Sequence, residues 1–343
     1  MDINKPIKTG LLSYGMSGKL FHAPFVAESD RFEFVAVVER SKKEAQKRYP
    51  NVKSYDAVDE LINDPQIELV IINTPNNTHY EFTAQALKAG KDVLVEKPFV
   101  ATSAEAKELF ELARSLNRKL LVYQNRRWNS DFLSVKEAVE SGKLGNLIEM
   151  HVRFDRYRAE IGPKAFKEEP IPASGIAYDL GSHIIDQIIL LFGKPDKTMK
   201  IGTKNREGTQ VEDYVLFILS YKTGLQVFVT TSYLAADPTI AYVLNGSKGS
   251  FKKDRSDVQE LQLIDGVKPT DPTYGIEPED SKGKLTYFTD DNEKIVEYPT
   301  ADRANFMDLF ECVYHSIRNG KAYPVKEEQI IQQLEILEQP FWN

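Results

Sequence analysis

The first third of the chain alternates two patterns, short apolar runs and stretches whose apolar residues recur every three or four positions. "IKTGLLSYG" (7–15) reads as a strand running into a glycine turn, and "SGKLFHAPFVAES" (17–29) as the helix behind it. "FEFVAVVE" (32–39) is a second strand, rich in β-branched and aromatic side chains, followed by a helix of acids and lysines. "IELVIINTP" (67–75) is a continuous apolar run of the kind buried on both faces of a sheet. "THYEFTAQALKAG" (78–90) predicts a helix closed by Gly90, and "DVLVEKP" (92–98) a further strand. Thr102 and Glu105 stand in capping-box spacing at the head of the next helix, and "KLLVY" (119–123) closes the series. Such alternation means parallel strands joined by right-handed crossovers, a doubly wound α/β domain over residues 1–123. Its ligands are expected beyond the carboxyl ends of the strands, near the switch in strand order.

The texture changes over residues 124–343. One more helix near "SDFLSVKEAVESG" (130–142) leads into a long strand, "NLIEMHVRFDRYR" (146–158), and then an apolar helix, "AYDLGSHIIDQIILLFG" (177–193). "DYVLFILSYKTGLQVFVTTSYL" (213–234) is a hairpin about a Lys-Thr-Gly turn, and "AYVLNGSKGSF" (241–251) a second hairpin. Residues 265–284, rich in Pro, Gly and Asp, read as a loop, and two helices finish the chain. This predicts an α+β domain with an open, mostly antiparallel sheet, helices on one side and the other face free for another subunit.

Composition narrows the function classes. A length of 343 residues suits two cores. The net charge of -7 argues against nucleic acid and anionic membranes as partners. Cys312 is the only cysteine, which excludes an internal disulfide and a thiolate zinc cage and fits a reducing cytoplasm. "MDINKPIKTG" has neither the apolar core nor the twin arginine of an export signal, and "IIDQIILLFG" is too short to span a bilayer.

The chemistry-bearing residues cluster at the expected strand ends. In the turn after the first strand, Ser13, Gly15 and Gly18 hold the places of the three glycines of the G-x-G-x-x-G dinucleotide fingerprint, with Tyr14, Met16 and Ser17 between them. Gly15 would let backbone amides approach a pyrophosphate, and Gly18 would let helix and strand pack closely; the alternative is a plain tight turn. Glu39 follows the second strand, where an acid bonds adenosine ribose hydroxyls and repels a 2′-phosphate, favouring NAD. Arg40 beside it is suited to receive that phosphate, so NADP stays open. Thr74, Pro75, Asn76 and His79 border the crevice as candidate cofactor contacts, or Thr78 simply caps a helix there. Glu96, Lys97 and Pro98 leave a buried strand at the same rim, where Lys97 can offer an ammonium to a substrate oxygen and Glu96 can pair with it or with ribose. Asp179, His183 and Asp186 stand at i, i+4 and i+7, one face of a helix. His183 suits the base that takes a hydroxyl proton, and Asp179 can orient it; capping plus a buried, hydrogen-bonded histidine is the structural alternative. A metal held by these three lacks further ligands nearby, and none is expected.

These motifs together, "TPNNTH" through His79, "EKP" and "YDLGSH", resemble the Gfo/Idh/MocA oxidoreductases over nearly the whole chain. "KLFHAPF", "NRRWNSDF" and "YDLGSHIIDQ" are similar to the branch that contains NADP-dependent scyllo-inositol dehydrogenase. The resemblance implies a Rossmann domain, a second domain with an open sheet, and a homodimer or homotetramer built on that sheet. It further implies that Lys97, Asp179 and His183 act together on a carbinol or carbonyl, and that Arg126, Arg127 and Trp128 lie beside nicotinamide and substrate. Tyr157 and Arg158 are further candidates for substrate contact. Ser13 and Glu39 depart from the family pattern, and Glu39 puts the cofactor choice of that branch in question. The expected activity is hydride transfer between NAD(P) and a sugar, inositol or related polyol. The alternatives are a nucleotide-sensing regulator that lost its chemistry and an enzyme that retains NAD for transient oxidation.

Overall fold

The computed structural model describes residues 5–342. Its first sheet holds β1 (Ile7–Leu11), β2 (Phe32–Val38), β3 (Lys53–Tyr55), β4 (Leu69–Ile72), β5 (Asp92–Glu96) and β6 (Leu120–Tyr123). All six are parallel, in the order β3-β2-β1-β4-β5-β6. Strand order therefore reverses between β1 and β4, which opens a crevice at their carboxyl ends. β4 is buried along its whole length, as its unbroken apolar run requires. The helix His79–Lys88 ends at Gly90, whose φ of 77° suits glycine. Thr102 accepts the Glu105 N–H at 3.2 Å while the Glu105 carboxylate accepts the Thr102 N–H at 3.1 Å, so the capping box is formed.

The unit around this sheet comprises residues 5–125, 259–274 and 305–331. The two later segments return because aromatic side chains need cover. Phe310, on the helix Met307–Asn319, stacks on Phe25 at 5.2 Å, with Phe306 and Tyr274 about the same ring. Such a pair adds about 0.5–1.5 kcal/mol beyond its buried area. Arg318 fastens the same helix to the carbonyls of Lys5 and Pro6 and to Glu68.

The second unit comprises residues 126–258, 275–304 and 332–342. Its sheet has eight strands: β7 (Leu147–Asp155), β8 (Lys197–Thr203), β9 (Tyr214–Ser220), β10 (Gln226–Ser232), β11 (Tyr242–Gly246), β12 (Gly249–Lys253), β13 (Lys284–Phe288) and β14 (Lys294–Glu297). The order is β14-β13-β12-β11-β7-β10-β9-β8, and only β7 and β10 pair in parallel. The expected hairpins are β9–β10 and β11–β12. A wide helical turn, Ala177–Gly181, runs into the helix Ser182–Phe192, whose residues are buried as far as Ile189. Gly181 lets the turn approach the sheet, since a Cβ there would touch the Phe217 ring at 3.4 Å. No helix among the described residues is long and apolar enough to cross a membrane.

Candidate active site

In the first unit, the candidate residues sit where β1, β2, β4 and β5 end. Ser13 organises the turn: its hydroxyl accepts the Gly15 N–H at 3.2 Å and its carbonyl accepts from Asn73 Nδ2 at 2.8 Å. A Cβ on Gly18 would lie 2.3 Å from that carbonyl oxygen, so only glycine fits. Gly15 differs, because a Cβ there would meet only the Ser13 hydroxyl, at 3.4 Å. Protein packing does not demand glycine at 15, whereas a ligand approaching the backbone would. Ser13, Tyr14 and Gly15 line a cavity of about 540 Å³ together with Glu39, Arg40, Thr74 and Pro75. The open Gly15 backbone within this cavity fits the phosphate-bearing part of a dinucleotide. Met16 is exposed, Ser17 half-buried and Gly18 buried.

Glu39 is committed elsewhere. Its Oε1 accepts the backbone N–H of Glu44 at 2.7 Å and of Ala45 at 3.1 Å, and its Oε2 accepts the Ser54 hydroxyl at 2.9 Å. It therefore ties the next loop and short helix to β3 while also lining the cavity. Arg40 is exposed, and among the described residues its side chain makes no hydrogen bond or ion pair. Ser41 and Lys42 continue the same lining, and Lys19 reaches across to pair with Glu44.

At the end of β4, the Thr74 hydroxyl bonds that of Thr78 at 2.7 Å, and Thr78 Oγ1 donates to the Pro75 carbonyl at 2.7 Å. Thr78 makes no side-chain cap, so the simple capping alternative fails. Asn76 is half-buried. His79 is fully buried and does not face the cavity. Its Nδ1 lies 2.9 Å from the Pro98 carbonyl and its Nε2 2.9 Å from that of Thr74. It is a strut between two strand ends, which corrects its expected place among the cofactor contacts.

Glu96 takes a bond from His22 Nε2 at 2.8 Å and from the Lys97 N–H at 3.1 Å. Burial alone would raise its pKa; the His22 bond and the charges of His22 and Lys97 overcome this and hold it below the usual range. His22 is wholly buried, packed on Tyr123 at 4.6 Å. It is a residue the motif analysis quoted in "KLFHAPF" and gave no role. Lys97 is half-buried and followed by a cis peptide to Pro98.

In the second unit, the Asp179–His183–Asp186 stripe is resolved partner by partner. Asp179 accepts from Lys167 at 2.5 Å and from the Tyr233 hydroxyl at 2.8 Å. Burial, then the Asp179 charge, pushes the Tyr233 pKa up, so the phenol remains a donor. Asp186 receives a two-pronged bond from Arg127, both contacts at 2.7 Å, with both side chains almost wholly buried. Arg127, expected beside the cofactor, thus has a structural partner. Gln187 bonds the Arg126 carbonyl at 2.8 Å, which staples the "NRRW" turn to the same helix. Among the described residues no group of three His, Cys, Asp or Glu side chains is placed to hold a metal ion. His183 is 5% exposed, its ring 6.5 Å from that of Phe154. Trp128 is half-buried; Tyr157 and Arg158 are exposed, and the Arg158 N–H bonds the Tyr233 carbonyl at 2.7 Å. Lys97 therefore belongs to one unit and Asp179 and His183 to the other.

Lys167, Tyr233 and Glu212 were not expected. Glu212 accepts the Ala177 N–H at 3.3 Å and so supports the start of the helix that carries Asp179. Lys167 comes from the segment "AEIGPKAFKEEPIPASG", held down where Arg206 binds Glu168 at 2.7 Å and Asp213 at 3.3 Å.

Comparison with known proteins is decisive at this point. The oxidoreductase family GFO_IDH_MocA, with its NAD-binding Rossmann fold, matches residues 7–124, and the family's C-terminal alpha/beta domain matches residues 136–340. The chain belongs to the Gfo/Idh/MocA oxidoreductase family. Among its relatives, scyllo-inositol 2-dehydrogenase (NADP(+)) IolW of Bacillus subtilis is 35% identical over 97% of this chain and 92% of its own. An uncharacterised oxidoreductase of Schizosaccharomyces pombe is 38% identical over 97% of this chain and 96% of its own. The solved structure of yvaA from Bacillus subtilis superposes with a TM-score of 0.93 at 34% identity, covering 98% of this chain and 95% of that one. The family makes this chain an oxidoreductase with an NAD-binding Rossmann fold; its residues show which groups are available for the work.

Proposed function

We propose that this member of the family transfers hydride between NADP and a CH–OH carbon of a sugar, inositol or related polyol. The observation that carries the reading is the pair of prepared groups: Lys97 on an amide fixed by Glu96, and a buried His183 one turn after an anchored Asp179. Bound dinucleotide supplies hydride donation and acceptance. The residues of the chain handle oxygen and proton. His183 takes the hydroxyl proton, Asp179 stabilises the imidazolium, and the Lys97 ammonium stabilises negative charge on the oxygen. The cavity-lining stretch Ser13–Gly15, with Thr74 and Pro75, holds the dinucleotide. With the Glu39 carboxylate bonded to Glu44, Ala45 and Ser54, Arg40, Ser41 and Lys42 of the cavity lining are the groups to receive a 2′-phosphate, so NADP is proposed in place of the NAD preference drawn from Glu39; the NADP dependence in the name of the Bacillus relative agrees.

Lys97→Met should lower kcat by about 10²–10⁴-fold. Dinucleotide binding, read by fluorescence titration, should stay near wild type; unchanged turnover would reject the assignment. A second copy of this chain is the expected partner. Met199, Ile218, Phe228, His151 and Val243 lie side by side across five strands, on the face opposite the buried Phe217, Val227 and Val152. Sedimentation velocity should find a dimer or tetramer. The reaction belongs in a reducing cytoplasm, which suits the single half-buried thiol of Cys312.

A further inference from the structure

We infer that the substrate of this site is an anionic carbohydrate, a sugar acid or sugar phosphate, whose charge is received by Lys164 and Arg158. The inference rests on the reading of His183 and Asp179 given above, and it concerns the wall beside them. Lys164 and Arg158 are both exposed, and among the described residues neither side chain makes an ion pair. Arg158 lies over the Tyr233 ring, 5.8 Å from its centroid, and that tyrosine's hydroxyl is bonded to Asp179. Asp179 is the carboxylate of this corner, and it already serves Lys167 at 2.5 Å and Tyr233 at 2.8 Å. Lys164 stands one turn before Lys167, whose backbone N–H bonds the Lys164 carbonyl at 2.9 Å, so its charge adds to those of Lys167 and Arg158, with Asp179 the opposing charge. The corner thus holds three cations and one carboxylate.

Neighbouring charges do not remove the excess. Arg206, on the other side of Tyr233 at 4.8 Å, is matched by Glu168 and Asp213. Arg255, over the Phe154 ring at 4.1 Å beside His183, is likewise matched by Asp131. A neutral polyol gives such a wall nothing to neutralise. A carboxylate or phosphate does, through charge-assisted hydrogen bonds.

The test compares probes that differ in charge. Glucuronate and glucose 6-phosphate are set against glucose and myo-inositol, with NADP and NAD. The expected result is a kcat/KM at least tenfold higher for one anionic probe than for glucose, falling as salt rises; which probe it is assigns the carboxylate or the phosphate. In Lys164→Met the anionic-to-neutral ratio should fall about tenfold, as for the loss of one charged hydrogen bond, and Lys164→Arg should restore it. Equal or better turnover of the neutral probes, independent of salt, overturns the inference and leaves the dehydrogenase reading in place. If no probe is turned over, that reading fails, and calorimetry decides the anion site separately. Binding of glucuronate or glucose 6-phosphate that weakens in Lys164→Met supports it, and absence of such binding rejects it.

Discussion

At the dinucleotide end of the first unit, the acids and imidazoles bond largely to backbone. Glu39 holds two amides, His79 lies against carbonyls from two strand ends, and Glu96 holds the Lys97 amide. Around His183 in the second unit, side chain meets side chain across long stretches of sequence. Arg127 and Asp186 are 59 positions apart, and Asp179 and Tyr233 are 54. The two constructions answer different needs. Backbone bonds set the path of a loop, so that amides rather than side chains meet a phosphate. Pairing offsets part of the cost of burying charge, and removing one member leaves the other buried without compensation.

That contrast is sharpened most by breaking a pair in the second unit. Arg127→Met leaves Asp186 buried without its cation and should cost about 3–5 kcal/mol of unfolding free energy in denaturant melts. Unchanged stability with weakened dinucleotide binding would instead return Arg127 to the cofactor. In the first unit, where a free cation faces the cavity, the effect is smaller and chemical. Arg40→Ala should lower kcat/KM for NADP relative to NAD about tenfold, close to 1.4 kcal/mol, with melting unchanged. An unaltered ratio would restore Glu39 as the determinant.

The smallest effect lies in the pH dependence of Glu96. Its folded pKa is depressed from 4.5 by the His22 bond and neighbouring positive charge, against burial. The carboxylate therefore contributes stability that is full above the unfolded value and is lost as pH falls through the folded one. Stability of the wild type should decline more steeply with acid below that value than that of Glu96→Gln. Parallel curves would remove Glu96 from the account.

Regular alternation made the first sheet legible, because β1, β2, β4, β5 and β6 carry their burial in their own apolar runs. β3 escaped: Lys53-Ser54-Tyr55 is a short edge strand paired only with β2. β8 escaped for the opposite reason, since its pattern is inverted. Lys200 points inward, its ammonium on the carbonyls of Leu337 and Gln339, and Gly202 lies under the Phe341 ring, while Met199 and Ile201 occupy the alternate positions. Motif spacing singled out Lys97, Asp179 and His183 because Lys97 directly follows β5 and the other two stand on successive helical turns. It missed Lys167 and Tyr233, whose neighbours are set by a loop path and by strand register. It also misplaced His79 and did not show the backbone bonds of Glu39, for a motif names a residue type and leaves open whether its polar atoms are already taken by nearby backbone.

The central claim is that Lys97 and His183 act on one substrate oxygen, and a double-mutant cycle on kcat/KM tests it most directly. Groups that work as a unit in one transition state are strongly non-additive. Lys97→Met combined with His183→Ala should be no slower than about the slower single variant. Losses that multiply in full would show two independent sites and contradict the account.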